Sequence, residues 1–569
     1  MKFPRSCPPA LIAAAIASAL PLRAVHATEF DTGNQDLKIS WNNTFKYSTA
    51  YRLKDADPRL LSGGYVPAGP TDFTGANMDD GDMNFRHKGL VSNRVDWLTE
   101  LDVSTPAYGA RISAAAWYDK AYNRSNQNQS PATNAAVRSG WPTNAFTPGT
   151  RRLHGRDAEV LDAFVYAKGS LGGLPGTVRL GRHTLQYGET LFFGANGIAN
   201  AQGPVDLVKL LSVPGSQFKE ILRPVGQVSG SLQILSNLSI GGYYQFEWRP
   251  SLIPGAGSYL SSFDVAGAGS SAFLVAPATV PAPAFAVIPD MKAKNSGQGG
   301  LQLKWTPTGS DVEYGFYAAR YHDKTPNFYL GFTPAFPPGA PATWQAVYAE
   351  GIKTYGASAS TVLGGFNVAA EVSVRRNTPL VSDPTPTFLG TQGPAVPANN
   401  RNNPAYAVGN TAHANLSAIY VLPTNQLFQG GTFLGEIAWN RTTSVTSKGS
   451  LDPNTTRDAT ALRMIFEPAY YQVINGLDIT IPLGLGYNID GRSSAVAQFN
   501  GGSSHGGDAS IGINGTWQQD WKFGLSYNRF LGTAGTFLKN NPVTDTPMMS
   551  YAQALKDRDF ISFNIKRSF

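Results

Sequence analysis

The chain has 569 residues, 15% of them charged, and contains 60 Gly, 39 Pro, 10 Trp, 24 Tyr and 30 Phe. This composition is typical of β-structure with long loops and argues against a helical protein, which would be richer in Glu, Lys and Leu. The formal charge of +7 falls to +4 when Lys2, Arg5 and Arg23 of the N-terminal segment are set aside, and no basic cluster has interleaved aromatic residues. We therefore expect no nucleic-acid partner.

The N-terminal segment has the features of a signal peptide. Two bases, Lys2 and Arg5, precede an apolar run at residues 10–20, and a Val-His-Ala sequence follows at residues 25–27. We predict cleavage after Ala27. The alternative, a membrane anchor, would need roughly 20 apolar residues.

The single cysteine lies inside this N-terminal segment, at Cys7. The mature protein, residues 28–569, therefore has no disulfide, no thiolate metal site and no cysteine nucleophile. We treat these residues as one domain, because a single barrel-like sheet can include the whole length.

Alternation of apolar and polar residues is the dominant local pattern. In residues 476–491 every second residue from Leu477 to Ile489 is apolar, and the residues between them are polar, glycine or proline. Such segments predict an all-β fold, a transmembrane antiparallel β-barrel of about 18 strands, with 16–18 as the range. The strands are expected to begin near residues 37, 89, 108, 157, 176, 224, 237, 295, 311, 345, 365, 406, 431, 457, 475, 505, 519 and 557.

The connections between these segments alternate in length. Short links such as residues 105–107, 172–175 and 236–237 alternate with long ones such as 54–88 and 250–294. Short periplasmic turns and long extracellular loops produce this alternation in outer-membrane barrels.

One long link, residues 187–223, differs from the others. Its residues 205–211 could form a short helix, and loops of this kind commonly fold inward and narrow a barrel lumen. We therefore expect an inward-folded loop or short helix here.

The C-terminal segment is the most specific local signal. Phe569 is the last residue, and Ile565 and Phe563 share an apolar face that Arg567 interrupts near the expected periplasmic rim. A long side chain can extend from that position to water. A terminal phenylalanine is a familiar assembly signal of outer-membrane proteins, so we expect Phe569, Ile565 and Phe563 to direct folding by the barrel assembly machinery.

Charged residues on the polar faces would line the lumen. Acids and bases occur in similar number, so most are expected to form ion pairs across neighbouring strands, and no strong ion selectivity is predicted. The residues are Arg94, Asp96, Glu100, Asp102, Arg111, Asp119, Glu247, Arg249, Lys304, Glu313, Glu371, Arg375, Arg463 and Glu467. Among them Arg94, Glu247, Arg249, Glu371 and Arg375 are candidates for the substrate path.

Known catalytic motifs are missing from the sequence. It has no H-E-x-x-H, G-x-S-x-G or Walker sequence and no His cluster with metal-ligand spacing. We therefore expect no catalytic residues, no cofactor and no metal, although groups that meet only in space stay open.

Several sequence runs resemble a large proteobacterial family known as domain of unknown function 1302. The runs include Arg179–Arg182, Tyr187–Glu189, Phe192–Gly197, Pro204–Leu207, Gln245–Trp248, Ser261–Asp264, Lys294–Gln298 and Asp557–Phe560. The resemblance implies an envelope location, genes often beside a second envelope protein, and frequent association with catabolism of hydrophobic compounds.

The family-like runs cluster in and around the link at residues 187–223. Within and beside it, the candidates for gating or substrate contact are Arg179, Arg182, Glu189, Asn196 and Asp206. An equally good interpretation is that they only pack the loop inside the barrel.

These observations favour a channel or uptake protein for small organic, hydrophobic compounds that are sterol-, fatty-acid- or aromatic-like. The alternative is a structural or assembly protein of the envelope acting with a co-encoded envelope partner, and the third is a barrel enzyme. The expected partners are the outer-membrane bilayer and the barrel assembly machinery.

Overall fold

The alternating segments pair with their sequence neighbours in the computed structural model, which describes residues 28–61, 73–130, 141–216, 218–274, 284–331, 343–383, 388–389, 398–449, 451–540 and 547–569. The predicted signal peptide and its cleavage site at Ala27 lie outside the described residues. Within the described part, no helix is long and apolar enough to cross a membrane.

Eighteen antiparallel strands cross the sheet, as predicted. They are β1 (Lys38–Arg52), β2 (Gly89–Ser104), β3 (Tyr108–Asp119), β4 (Arg156–Leu171), β5 (Leu174–His183), β6 (Val225–Leu235), β7 (Leu238–Gln245), β8 (Gln298–Trp305), β9 (Glu313–Tyr321), β10 (Ile352–Leu363), β11 (Phe366–Pro379), β12 (Val408–Val421), β13 (Gly430–Ser447), β14 (Asp458–Ile474), β15 (Leu477–Thr480 and Leu483–Gly491), β16 (Gly507–Trp517), β17 (Trp521–Leu531) and β18 (Phe560–Ser568).

The sheet closes because the first strand pairs with the last. Ser48 of β1 lies opposite Asn564 of β18, and a short strand, Thr28–Phe30, extends the pairing at β1. Closure removes the free edges that a sheet could not expose to lipid.

The two faces of the barrel differ as the alternation predicted. On β11, Val372 and Val374 are about half exposed on the outside, whereas Glu371 and Arg375 are buried inside. An apolar outer belt on a closed sheet is what the hydrocarbon core of a membrane requires. The protein is located in the outer membrane.

Two strand boundaries differ from the sequence prediction. The strand expected from residue 345 begins at Ile352, because Thr343–Val347 instead pairs with Asn327–Gly331 in a separate sheet. The strand expected over residues 476–491 is interrupted at Ile481 and Pro482, and Pro482 has no N–H to donate to a neighbour.

The long extracellular loops pack on one another. Five of their strands form one sheet, and Trp344 stacks between Phe273 and Phe328 at centroid distances of 4.7 and 5.1 Å. We call the described parts of the loops over residues 53–88, 120–155, 246–297, 322–351, 380–407 and 532–559 the extracellular cap.

The C-terminus is fixed at the barrel seam. The ring of Phe569 stacks on Phe45 at 5.8 Å, and the backbone N–H of Phe569 donates to Asn43. The Arg567 guanidinium lies over the Trp521 ring at 5.2 Å and within 3.9 Å of Asp520 in a short turn. Its cationic end is thus directed to the periplasmic rim, as a snorkelling side chain would be.

Candidate functional site

The connection between β5 and β6, residues 184–224, folds into the barrel, and we call it the lumen loop. Its backbone is held by buried carboxylates of the inner wall. On β11, Glu371 accepts hydrogen bonds from the backbone N–H of Glu189 and of Ile198, both at 2.7 Å. The two carboxylate oxygens therefore join two points of the lumen loop to one side chain.

Glycines allow this close approach. A Cβ on Gly188, which has a φ of 93°, would lie 2.2 Å from Glu371 Oε2, and a Cβ on Gly197 would lie 2.7 Å from Oε1. Any larger residue at either position would push the loop off the carboxylate. This accounts for the glycine in the Tyr-Gly-Glu and Asn-Gly sequences of the loop.

A second carboxylate, Glu436 on β13, binds the next turn of the loop. One of its oxygens accepts hydrogen bonds from the N–H groups of Leu191, Phe192 and Phe193 at 3.1, 2.5 and 3.0 Å. Its other oxygen accepts from the side chain of Asn415 at 2.8 Å. Consecutive N–H groups around one oxygen form an anion-binding nest.

Asn196 fixes the tip of the lumen loop. Its amide donates to Asn415 at 2.9 Å and to the Trp439 carbonyl at 3.1 Å, and its oxygen accepts from Asn440 at 3.2 Å. Arg375 donates to the neighbouring backbone carbonyls of residues 195 and 197 at 2.9 and 2.8 Å. The tip is therefore fixed to β11, β12 and β13 together.

The other half of the lumen loop reaches the opposite side of the wall. Its helix, Leu207–Ser212, is capped by Asp206, which accepts from the N–H of Lys209 at 2.9 Å. The Lys209 ammonium lies 3.2 Å from Glu159 of β4, and Lys219 lies 2.6 Å from Glu100 of β2. One loop thus binds walls on both sides of the lumen.

A model of one protein family matches residues 9–569, nearly the whole chain. The chain belongs to the family described as Protein of unknown function (DUF1302). The match includes the lumen loop and the sequence runs at residues 179–207. A search of curated proteins finds no match to this DUF1302 chain.

Solved barrels with a similar architecture have low sequence identity. OccAB3 of Acinetobacter baumannii is 10% identical, with 93% of this chain and 99% of that chain covered and a TM-score of 0.39. The outer membrane channel DcaP of the same organism is 7% identical, with coverages of 96% and 100% and a TM-score of 0.35. OmpT, an outer membrane protein of Vibrio cholerae, is 9% identical, with coverages of 94% and 100% and a TM-score of 0.36.

The structure brings several sequence-predicted residues of the DUF1302 chain together. Glu189, Asn196, Glu371 and Arg375 meet where the loop tip joins the wall. Asp206 lies across the lumen, where it caps the helix of the loop. These contacts are what the packing interpretation requires, and contact with a substrate stays a prediction.

The remaining candidates on the inner wall are spread around it. Arg94 pairs with Asp96 at 2.7 Å, and its guanidinium lies over the Trp117 ring at 5.3 Å. The guanidinium of Arg249 lies 3.7 Å from Glu159. Arg179, an exposed side chain of β5, has its guanidinium 5.8 Å from the Phe164 ring.

Contrary to the sequence prediction, Arg182 and Glu247 do not line the lumen. His183, the next residue after Arg182, faces inward and contacts Ser229 at 2.7 Å. Successive residues of a strand point to opposite faces, so Arg182 points outward, where it pairs with Glu247 at 2.7 Å. This ion pair lies on the outer face at the extracellular ends of the strands.

The sequence analysis missed the inner face of β15 to β18. Most side chains on this part of the wall are glycine or small and polar, beside the ion pair of Asp508 with Arg463 at 2.5 Å and the lysines Lys522 and Lys566. Its register places on one face Gly484, Gly486, Asn488, Ser510, Gly512, Asn514, Gly524, Ser526, Asn528, Ser562 and Asn564. In the sequence these residues alternate with the apolar ones, but on the wall only charged residues were considered as candidates.

An acidic group inside the extracellular cap was also missed. Asp79, Asp80 and Asp264 are buried, and their carboxylate oxygens lie within 4.8 Å of one another. Crowded carboxylates need protons or a cation to offset their repulsion. Because the sequence separates Asp264 from the other two by more than 180 residues, no spacing motif reveals the group.

We expect the extracellular cap to be more stable at pH 5 than at pH 8. Burial raises the pKa of Asp264 to about 7 from its ordinary 3.8, and the Asp79 charge acts in the same direction. Because the pKa is raised on folding, the stabilising effect of the proton is fully present below about pH 4 and is lost as the pH rises through about 7. Hydrogen exchange of the Asp80 and Gly257 amides, which donate to Asp264, should therefore be faster at pH 8 after correction for intrinsic rates.

The substitution Asp264→Asn should flatten this pH dependence. The matched control is Asp55→Asn, because the Asp55 side chain is 61% exposed and lies in the same cap. Equal corrected exchange at both pH values in the unmodified protein would contradict the assignment.

Proposed function

We propose that this DUF1302 protein is an outer-membrane channel through which small organic compounds enter the periplasm. The observation that supports it is the lumen loop, which is bound to two carboxylates of the wall and narrows the barrel. Loops of this kind set the width of barrel channels. The small polar face of β15 to β18 offers a route for solutes alongside the loop.

The helix of the lumen loop supports the proposal that the substrate has an apolar part. Leu210 and Leu211 are 52% and 45% exposed. Exposed leucines inside a water-filled lumen are unfavourable unless an apolar group covers them. The substrates we propose are therefore compounds with an apolar body, such as sterol-, fatty-acid- or aromatic-like molecules.

Reconstitution tests this proposal. Purified protein in liposomes should make the vesicles permeable to small ionised aromatic and aliphatic solutes, which cross protein-free vesicles only slowly. Folding is checked by heat-modifiable migration on a detergent gel. Folded protein whose vesicles admit no solute would contradict the proposal in favour of a structural role, and lipid cleavage in the vesicles would favour an enzyme.

A further inference from the structure

Three lysines lie side by side on adjacent strands at the periplasmic end of the barrel. Lys522 of β17 lies opposite Lys566 of β18, and Lys566 lies opposite Lys46 of β1. We call these three residues the lysine row. Directly opposed residues on one face of a sheet have Cβ atoms about 4.5–5.5 Å apart. Lys522 follows the short turn at residues 518–520, so the row lies close to the periplasmic exit.

The lysine row faces the lumen. The Lys46 ammonium lies 3.7 Å from Glu220 of the lumen loop, and the Lys566 ammonium lies 3.5 Å from the backbone carbonyl of Gly215 in the same loop. Lys522 shares this face, because directly opposed residues of neighbouring strands point to the same side.

The positive charge of the lysine row is only partly offset. Lys46 is 3% exposed, and its buried ammonium has no hydrogen-bond acceptor. Its nearest carboxylates are Glu220 at 3.7 Å and Asp96 at 3.8 Å, and Asp96 is already paired with Arg94 at 2.7 Å.

Lys522 has no acidic partner within 4 Å among the described residues. The acid of the adjacent turn, Asp520, is directed to Arg567 on the outside. Like charges placed directly opposite each other destabilise a sheet. An anion bound at the row would remove that cost.

Small and polar side chains lie next to the lysine row. One step toward the membrane centre, Gly524, Asn564 and Ser48 form the next line across the same three strands. Ser48 is fully buried, and its hydroxyl has no hydrogen-bond partner. A carboxylate held by the ammonium groups of Lys522 and Lys566 would therefore have the side-chain amide of Asn564 beside it as a further hydrogen-bond donor.

We propose that the lysine row binds the carboxylate of a small organic acid as it leaves the lumen for the periplasm. Ammonium groups bind carboxylates and phosphates alike, so the preference for an organic acid rests on the exposed leucines of the lumen loop, which would contact the apolar body of the acid. The inference rests on the proposed channel function and narrows its substrates to amphipathic acids.

Single-channel recording in planar bilayers tests the lysine row. Benzoate is the probe, with benzyl alcohol as its uncharged counterpart and inorganic phosphate as a competing anion. The variant Lys522→Gln with Lys566→Gln leaves the buried Lys46 in place. Two exposed charge interactions together change an affinity by about tenfold. We therefore expect the double variant to need about tenfold more benzoate for the same block of the current, and the effect of benzyl alcohol on the current to stay the same.

The matched control is Lys168→Gln. Lys168 lies near the periplasmic end of β4, and its ammonium lies over the Tyr166 ring at 5.4 Å, away from the row. Its removal should leave benzoate block unchanged. Unchanged benzoate block in the double variant, or tighter binding of phosphate than of benzoate, would overturn the inference.

Failure of the inference is distinguishable from failure of the channel. A channel that conducts but is insensitive to benzoate would refute only the lysine row. A folded protein that never conducts would refute the channel. In that case calorimetric titration of benzoate into the detergent-purified protein and the double variant still tests the row, and equal binding by both would refute it.

Discussion

Replacing Glu436 with alanine is expected to release residues 191–193 of the lumen loop from the wall and raise the single-channel conductance severalfold. One oxygen of this carboxylate binds three consecutive N–H groups of the loop. Each hydrogen bond to a charged group contributes about 1.5–3 kcal/mol, so the loss far exceeds thermal energy. Adding Glu371→Ala removes a further attachment of the loop, at residues 189 and 198, and should enlarge the effect.

Glu467→Ala is the matched control for charge. Glu467 is also an inner-wall glutamate, but it bonds Thr480 at 2.5 Å and not the lumen loop. Its removal should leave the conductance close to that of the unmodified channel. Hydrogen exchange over residues 187–202 provides the second readout, because release of the loop exposes its amides. Unchanged exchange and conductance in the Glu436→Ala channel would show that the carboxylate does not hold the loop.

Replacing Arg558 with methionine is expected to destabilise the extracellular cap by about 3–5 kcal/mol, because it leaves two buried carboxylates, Asp82 and Asp557, to share the single guanidinium of Arg52. Arg558 and Asp82 are each 1% exposed, and the guanidinium bonds both oxygens of Asp82 at 3.1 and 2.9 Å. The same guanidinium donates to the backbone carbonyls of Tyr259 and Ser261 at 2.7 and 2.5 Å. One side chain therefore joins three distant parts of the chain.

Urea unfolding in detergent micelles, followed by tryptophan fluorescence, measures the loss. The control is Arg441→Met, because the Arg441 and Asp458 side chains are exposed and such pairs contribute only about 0–1 kcal/mol. Adding Asp82→Leu to Arg558→Met should restore part of the stability, since it removes the excess carboxylate and leaves Arg52 paired with Asp557 alone. A loss below about 1 kcal/mol in Arg558→Met would mean that water reaches the network.

The local patterns were sufficient to predict the barrel wall. On β11, the alternation of Val372 and Val374 with Glu371 and Arg375 predicted the two faces correctly, because successive side chains of a strand point to opposite faces of the sheet. The same rule was insufficient at Thr343–Val347, which has the pattern of a strand but belongs to the extracellular sheet. Alternation shows that a segment has two faces and does not show which sheet it joins.

The candidate site was predicted only in part. The lumen loop and its short helix could be inferred from residues 187–223, and Glu371 and Arg375 from their polar face. Glu436, which holds the loop most directly, was not among the candidates, because its role depends on which loop atoms reach it. The lysine row was missed for a similar reason: its members are separated by hundreds of residues, and only closure of β18 on β1 places them together.

The sequence by itself thus determined the closed wall, its strand count and its two faces, because these follow from a period of two residues and from the demand of the membrane that every backbone group be paired. Only the tertiary structure decided which acids hold the lumen loop, which cations lack partners, and that Arg182 and Glu247 lie outside. Those outcomes depend on the register between strands and on the path of a loop across the lumen, and neither is encoded in local alternation.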